Sequence, residues 1–108
     1  MNKLTTPKDA IAKIRDGDTV LVGGFLQAGC PETLLKALFE HSAAKDLTIV
    51  SNDTGTEKSY MVKIMEQGRV RRVHASYIGA NPLTGRMLLE DPESVTLYPQ
   101  GTLAEKIR

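Results

Sequence analysis

Three stretches of this chain share one design: an apolar run breaks off into a cluster of small and turn-forming residues, and an amphipathic pattern follows. TVLV (Thr19 to Val22) ends in GGFLQAG, LTIVS (Leu47 to Ser51) ends in NDTG, and Val70 to Ile78 ends in GANP. Neither of the first two runs alternates apolar with polar residues, the pattern of strands buried on both faces. Strands that alternate with helical segments need crossover connections, so the chain is restricted to an α/β fold with a doubly wound, mostly parallel sheet.

The segments between and beyond the runs read consistently with that frame. Thr6 is an N-cap with Pro7 at the first helical position, which predicts a helix over Lys8 to Arg15 with Ile11 and Ile14 inward and Gly17 ending it. Pro31 opens a second helix whose stripe is Leu34, Leu35, Leu38 and Phe39, and Tyr60, Met61, Ile64 and Met65 mark a third, closed by Gly68. Arg71, Arg72 and His74 interrupt the third strand. Pro82 starts a helix through Leu89, VTLYP at Val95 to Pro99 is a fourth strand, and Leu103 to Arg108 begins another helix. That last helix stops without a glycine cap, which is expected of a truncated chain.

A length of 108 residues with 41% hydrophobic content suits a single domain over residues 1–108 with one core. Fourteen basic and 13 acidic residues give a formal net charge of +1, which offers no electrostatic footprint for nucleic acid or an acidic membrane. Cys30 is the only cysteine, no signal segment opens the chain, and no apolar run approaches the ~20 residues of a membrane helix. A soluble, cytoplasmic protein is expected. The absence of Trp and an aromatic content of 5% argue against base-stacking platforms.

Ligands of open parallel sheets bind beyond the carboxyl ends of the strands, where GGFLQAG, SNDTG and IGANP should meet. Gly23 and Gly24 would let a ligand approach the main chain and leave N–H groups for an anion or an oxyanion, or they simply make a tight turn. Their spacing matches neither G-x-G-x-x-G nor a P-loop, which disfavours dinucleotides and nucleoside triphosphates. Asn52, Asp53 and Asn81 either bond a ligand or close turns through their own backbone. Cys30 is a lining residue at a helix N-terminus or a small buried hydrophobe. His41 and His74 have no metal-ligand spacing with each other or with Cys30, so no metal site is expected. Met61, Met65 and Met87 read as packing residues, and Glu32, Glu57 and Glu90 are scattered and form no acid–base pair.

The stretch DGDTVLVGGFLQAGCP, Asp16 to Pro31, resembles the N-terminal signature of the α subunit of family I CoA-transferases, the 3-oxoacid or acetate/acetoacetate enzymes. LTIVSNDTG, GRVRRVHASYIGANP with TGRM, and VTLYPQGTLAEKIR follow in the same order as in that family, so the likeness covers nearly the whole chain. Tyr77 stands where the family pattern has His, and Leu83 where it has Glu, so no family role is carried over to either. The resemblance implies a fold shared with sugar-phosphate isomerases and a ping-pong acyl transfer. In it a glutamate attacks an acyl-CoA, forms a mixed anhydride, takes CoA as an enzyme thioester and passes it to a second carboxylate.

That glutamate belongs to the β subunit, and no Glu-Asn-Gly motif occurs here. The resemblance therefore implies no catalytic residue in this chain, no permanent cofactor, coenzyme A and acyl-CoA as substrates, and partnership with a β subunit in a hetero-oligomer. It implies CoA contacts at Gly24, Phe25, Leu26, Gln27, Ala28, Gly29 and Cys30, and a substrate pocket around Gly23, Asn52, Asp53, Gly79 and Asn81. Gly24→Val is expected to abolish exchange with the fold largely intact. Family α subunits continue past Arg108 through a Gly-Gly-Ala-Gly segment, so this is expected to be an N-terminal portion, inactive alone, with apolar surface left to hide. Two competing readings are a sugar-phosphate isomerase whose glycine loop holds a phosphate, and a non-catalytic acyl-CoA-binding module.

Overall fold

The computed structural model of the chain describes residues 4–25 and 28–108. Element order is α1 (Pro7–Ile11), β1 (Thr19–Val22), α2 (Glu32–His41), β2 (Leu47–Ser51), α3 (Tyr60–Glu66), β3 (Val70–Ala75), α4 (Pro82–Glu90), a 3₁₀ turn (Pro92–Ser94), β4 (Val95–Leu97) and α5 (Gln100–Ile107). Thr6 Oγ1 accepts the Asp9 N–H at 3.1 Å as the expected cap, and Gly68 follows α3 at a left-handed φ of 71°. The first helix ends at Ile11 with Ala12 as its C-cap rather than running to Arg15, so Gly17, at φ 82°, turns the chain toward β1 instead of ending the helix.

The four strands pair in parallel in the order β1-β2-β3-β4, an α/β architecture as expected. The order never reverses, so right-handed crossovers place α2, α3 and α4 on one face of the sheet, each packed on the next and α1 against α2. The core lies there: Val22, Leu47, Ile49, Val73 and Val95 from the sheet meet Leu35, Leu38, Met61 and Ile64 from the helices. The second layer of a doubly wound sheet is represented by α5 alone. It sends Leu103, 1% exposed, toward the opposite sheet face, where Thr19, Leu21, Val50 and His74 line a shallow cavity of about 250 Å³ with it.

This geometry corrects the expectation of strands buried on both faces. Leu21 is 56% exposed, and Thr48 and Val50 are only half-buried beside the fully buried Leu47 and Ile49. One eight-residue helix cannot cover a four-stranded sheet, so apolar side chains in an unbroken run reach a face that is only partly packed. The third strand also ends at Ala75 rather than Ile78. Its two arginines are accommodated by a bulge: Leu47 pairs with Val70 but Thr48 with Arg72, which leaves Arg71 and Arg72 consecutively exposed without turning Val73 out of the core.

Candidate functional site

All four strands run the same way, so the loops after β1, β2, β3 and β4 converge at one end of the sheet. The first loop closes on itself. Phe25 and Ala28 exchange both backbone hydrogen bonds, at 2.9 and 3.0 Å. Leu26 and Gln27, also expected CoA contacts, lie outside the described residues. Gly24 sits at φ 109°, and a Cβ built there would fall 2.9 Å from both N and Cα of Cys30 and 3.1 Å from the Ala28 carbonyl oxygen. Its missing side chain thus makes room for the loop's own return strand, and Gly24→Val strains the loop itself rather than leaving the fold untouched. Gly23 has only the Gly29 carbonyl oxygen, at 4.0 Å, in that direction. The Phe25 and Ala28 N–H groups are spent inside the turn and do not serve as anion donors.

Cys30 closes this loop beside Glu32 at the start of α2. Burial, then the hydrogen bond and negative charge of Glu32, then the charge of Asp53, push the thiol up to about 11. The thiol stays protonated at neutral pH, and the helix N-terminus does not turn it into a nucleophile. Glu32 Oε1 is itself buried with no described hydrogen-bond partner.

The second and third loops are stitched together from below. Asp53 is buried, and its Oδ1 accepts the Gly55 N–H at 2.7 Å in an Asx turn. Asn81, 1% exposed, spends every polar atom of its side chain. Its Oδ1 accepts the N–H groups of Leu83 (3.0 Å) and Thr84 (3.3 Å) as the cap of α4, and its Nδ2 donates to the Thr54 carbonyl at 3.0 Å and to Met65 Sδ at 3.4 Å. The Thr54 and Thr84 hydroxyls pair at 2.8 Å beside it. Asn81 therefore holds the platform up rather than reaching into it, and Asp53 Oδ1 closes its own turn. Asn52 differs: its carbonyl accepts from Ser76 and Tyr77, and its side-chain Oδ1 accepts from Gln100 Nε2 at 2.7 Å.

On this platform Phe25, Asn52, Ser76, Tyr77 and Gln100 line an open cavity of about 320 Å³. Phe25 and Tyr77 come from different loops and bring their rings within 5.7 Å at 44°. Gly79 lies under the Tyr77 ring. The Ser76 hydroxyl oxygen is buried and has no described partner. The Asn52 and Gln100 amides border one side and aromatic surface the other, while Ser76 Oγ is closed off, an arrangement suited to a small molecule with a polar head and an apolar tail. Among the described residues, no group of His, Cys, Asp and Glu side chains could hold a metal ion, and no helix is long and apolar enough to cross a membrane.

The family model for coenzyme A transferase matches residues 4–108. The chain belongs to the coenzyme A transferase family. It is 47% identical over 106 residues to the alpha subunit of the acetate CoA-transferase of Escherichia coli, covering 98% of this chain and 48% of that protein. It is 44% identical over 94 residues to the acetoacetyl-CoA:acetate/butyrate CoA transferase alpha subunit of Clostridium acetobutylicum, covering 87% and 43%. It is 38% identical over 109 residues to one subunit of a succinyl-CoA:3-ketoacid coenzyme A transferase of Helicobacter pylori, covering 100% and 47%. The chain thus spans about half the length of these relatives. Among solved structures, an acyl-CoA transferase from Escherichia coli, in a thioester complex with CoA, superposes with a TM-score of 0.69 at 22% identity, covering 90% of this chain and 21% of that one. The decarboxylase AibA/AibB, as a variant, gives 0.69 at 17%, covering 89% and 38%. At those identities the likeness shows the fold.

Two places in this CoA-transferase chain escape the reading of its sequence. Leu83, at the position where the family pattern has Glu, packs partly buried against the core in the first turn of α4. Gln100 carries no motif of its own, although VTLYP before it is legible as a strand. A fourth strand end in a parallel sheet delivers its loop to the same platform as the other three, and Gln100 is the first helical residue after it.

Proposed function

We propose that this chain forms the CoA-facing and acyl-facing wall of a short-chain acyl-CoA:carboxylate CoA-transferase and works in a cytoplasmic hetero-oligomer with a β-type subunit. The observation that carries the reading is the match of a CoA-transferase family along residues 4–108, whose first loop and cavity-lining residues converge at one sheet end. In the proposed reaction the β subunit's glutamate carboxylate attacks the acyl-CoA carbonyl and expels CoA thiolate, giving a mixed anhydride. The thiolate then attacks the glutamyl carbonyl and releases the first carboxylate, leaving CoA as a glutamyl thioester. An incoming acid such as acetate or acetoacetate reverses these steps and leaves as its CoA ester, so coenzyme A is carried as substrate and no permanent cofactor is required.

This chain's contribution is positioning. The first loop, Gly24 to Cys30, lies against the CoA arm, Gly23 and Asn52 border the reacting group, and Gly79 lies under the Tyr77 ring on the acyl side of the pocket. Gln100 holds Asn52 at a fixed distance from the loop, which favours one orientation of a bound acyl group.

The test is to tag the chain, purify it from its host with the subunit it holds, and follow CoA exchange between acetyl-CoA and acetoacetate. Borohydride added mid-reaction should trap the partner's glutamyl thioester. Exchange that needs both subunits supports the reading. Tight CoA binding without exchange would favour a binding module, and sugar-phosphate turnover by the lone chain would overturn it.

A further inference from the structure

The cavity's aromatic side stands out from the rest of the molecule. Phe25 is 53% exposed and Tyr77 43% exposed, yet the two rings are in contact and sit over loops held by the Asp53 and Asn81 side chains. Rings left half in water contribute little to folding, and their apolar area is removed from water only when something lies against them.

Gly79 bears on the same ring. A Cβ built there would fall 2.8 Å from Tyr77 Oη, 3.0 Å from Cζ and 3.1 Å from Cε2. Its φ lies outside the left-handed region, so the backbone there suits any residue, and the glycine is explained by space rather than by conformation. The Tyr77 main chain is fixed independently: its N–H donates to the Asn52 carbonyl at 3.1 Å and it bridges Asp53. On that fixed main chain the ring lies over Gly79 and beside Phe25.

We propose that Tyr77, seated on Gly79 and backed by Phe25, is the wall that limits the chain length of the carboxylic acid or acyl group entering this cavity. Tyr77 is then a specificity-determining residue for straight-chain short acids, and Gly79 a positioning residue that acts through it. The inference rests on the function proposed above. An acid with its oxygens toward the Asn52 and Gln100 amides points its hydrocarbon tail at the two rings.

The experiment uses the subunit complex and compares kcat/KM for acetate, butyrate and hexanoate as acceptors from one CoA donor. Tyr77→Ala should raise the hexanoate-to-acetate ratio about tenfold or more, the scale on which an apolar wall discriminates chain length, and Tyr77→Phe should hold the ratio within about twofold. Gly79→Ala, which displaces the ring, should shift the ratio in a Tyr77 background and lose most of that effect in Tyr77→Ala. A ratio unmoved by Tyr77→Ala, or a Gly79→Ala effect that survives it, overturns the proposal; Tyr77→Leu repeats the test should the alanine variant not fold. If the wild-type complex exchanges no CoA, the proposed function falls and the wall is judged on binding alone. The same acids are then ranked by the rise in thermal midpoint: hexanoate gaining on acetate in Tyr77→Ala supports the wall, and an unchanged ranking overturns it.

Discussion

At Gly24 two constraints coincide: a φ of 109° that L side chains rarely adopt, and a Cβ position only 2.9 Å from the Cys30 backbone. Residues held in that region cost of order 1–3 kcal/mol, and backbone cannot step aside as a flexible side chain can, so Gly24→Ala should destabilise the protein by about 2 kcal/mol or more. Gly23→Ala, with nothing nearer than 4.0 Å and no left-handed φ, should stay within about 0.5 kcal/mol. Paired urea titrations check this, and equal losses at the two positions would mean that the loop does not close as described. Cys30 gives the second prediction at this scale. Its thiol titrates at about 11 when folded and near 9.0 when unperturbed, so between those values the unfolded chain releases a proton that the folded chain keeps. The thiol's contribution is therefore fully present below pH 9 and lost as pH rises through about 11. Alkylation by iodoacetamide in native protein should inflect near pH 11, and an inflection near 9 would show the thiol free of burial and of Glu32. Residue identities foretold turns at Asp53 and Asn81 as one of two readings for each. They could not show which backbone N–H lies opposite a given side chain, and that choice separates Asn81, wholly spent on its cap and Thr54, from Asn52, which faces Gln100.

At the scale of elements, the join between α2 and β2 depends on a residue that no periodicity reveals. Arg69, 6% exposed, donates from Nε to the Ala44 carbonyl at 2.7 Å and from one terminal nitrogen to the Leu38 carbonyl at 3.0 Å and Gln67 Oε1 at 3.1 Å. No carboxylate pairs with it in any ion pair among the described residues, and burial lowers its affinity for its proton. The Leu38 carbonyl in the last turn of α2, where the helix dipole is negative, and the Ala44 carbonyl in the loop beyond it take the place of a counter-ion. Arg69→Met leaves two buried carbonyls without donors, at about 1–3 kcal/mol each, so a loss of about 2–4 kcal/mol in urea unfolding is expected. Arg69→Lys should recover only part of it, since a point donor cannot serve both carbonyls as the fork does. Full recovery by lysine would reduce the interaction to charge alone. Periodicity does identify α2 and α3 from Leu35, Leu38, Met61 and Ile64, because a helix stripe is a local property, although Leu34, read on the same stripe, is 41% exposed. It misjudges β1, because whether Leu21 is covered depends on a helix about eighty residues away in the chain.

For the molecule as a whole, the imbalance between the two sheet faces decides how it opens. Three helices, with α1 packed against the first of them, cover one face, while α5 holds the other through Leu103, the 2.7 Å Gln100–Asn52 hydrogen bond and Lys106 set 5.9 Å from the Tyr98 ring. Truncating a buried leucine to alanine costs about 2–5 kcal/mol, and a helix of about eight residues does not persist in water without packing. Leu103→Ala should therefore release α5 while the rest of the sheet stays folded. Amide exchange would show it as protection lost over Gln100–Ile107 with β2 and β3 unchanged. Because Gln100 both starts α5 and lines the cavity, the same change should free the Asn52 side chain and weaken binding of short acids, although Leu103 is not among the cavity's lining residues. Protection that persists in α5 would mean that contacts other than Leu103 hold that face. Lost protection with unaltered acid binding would separate the cavity from the helix that borders it.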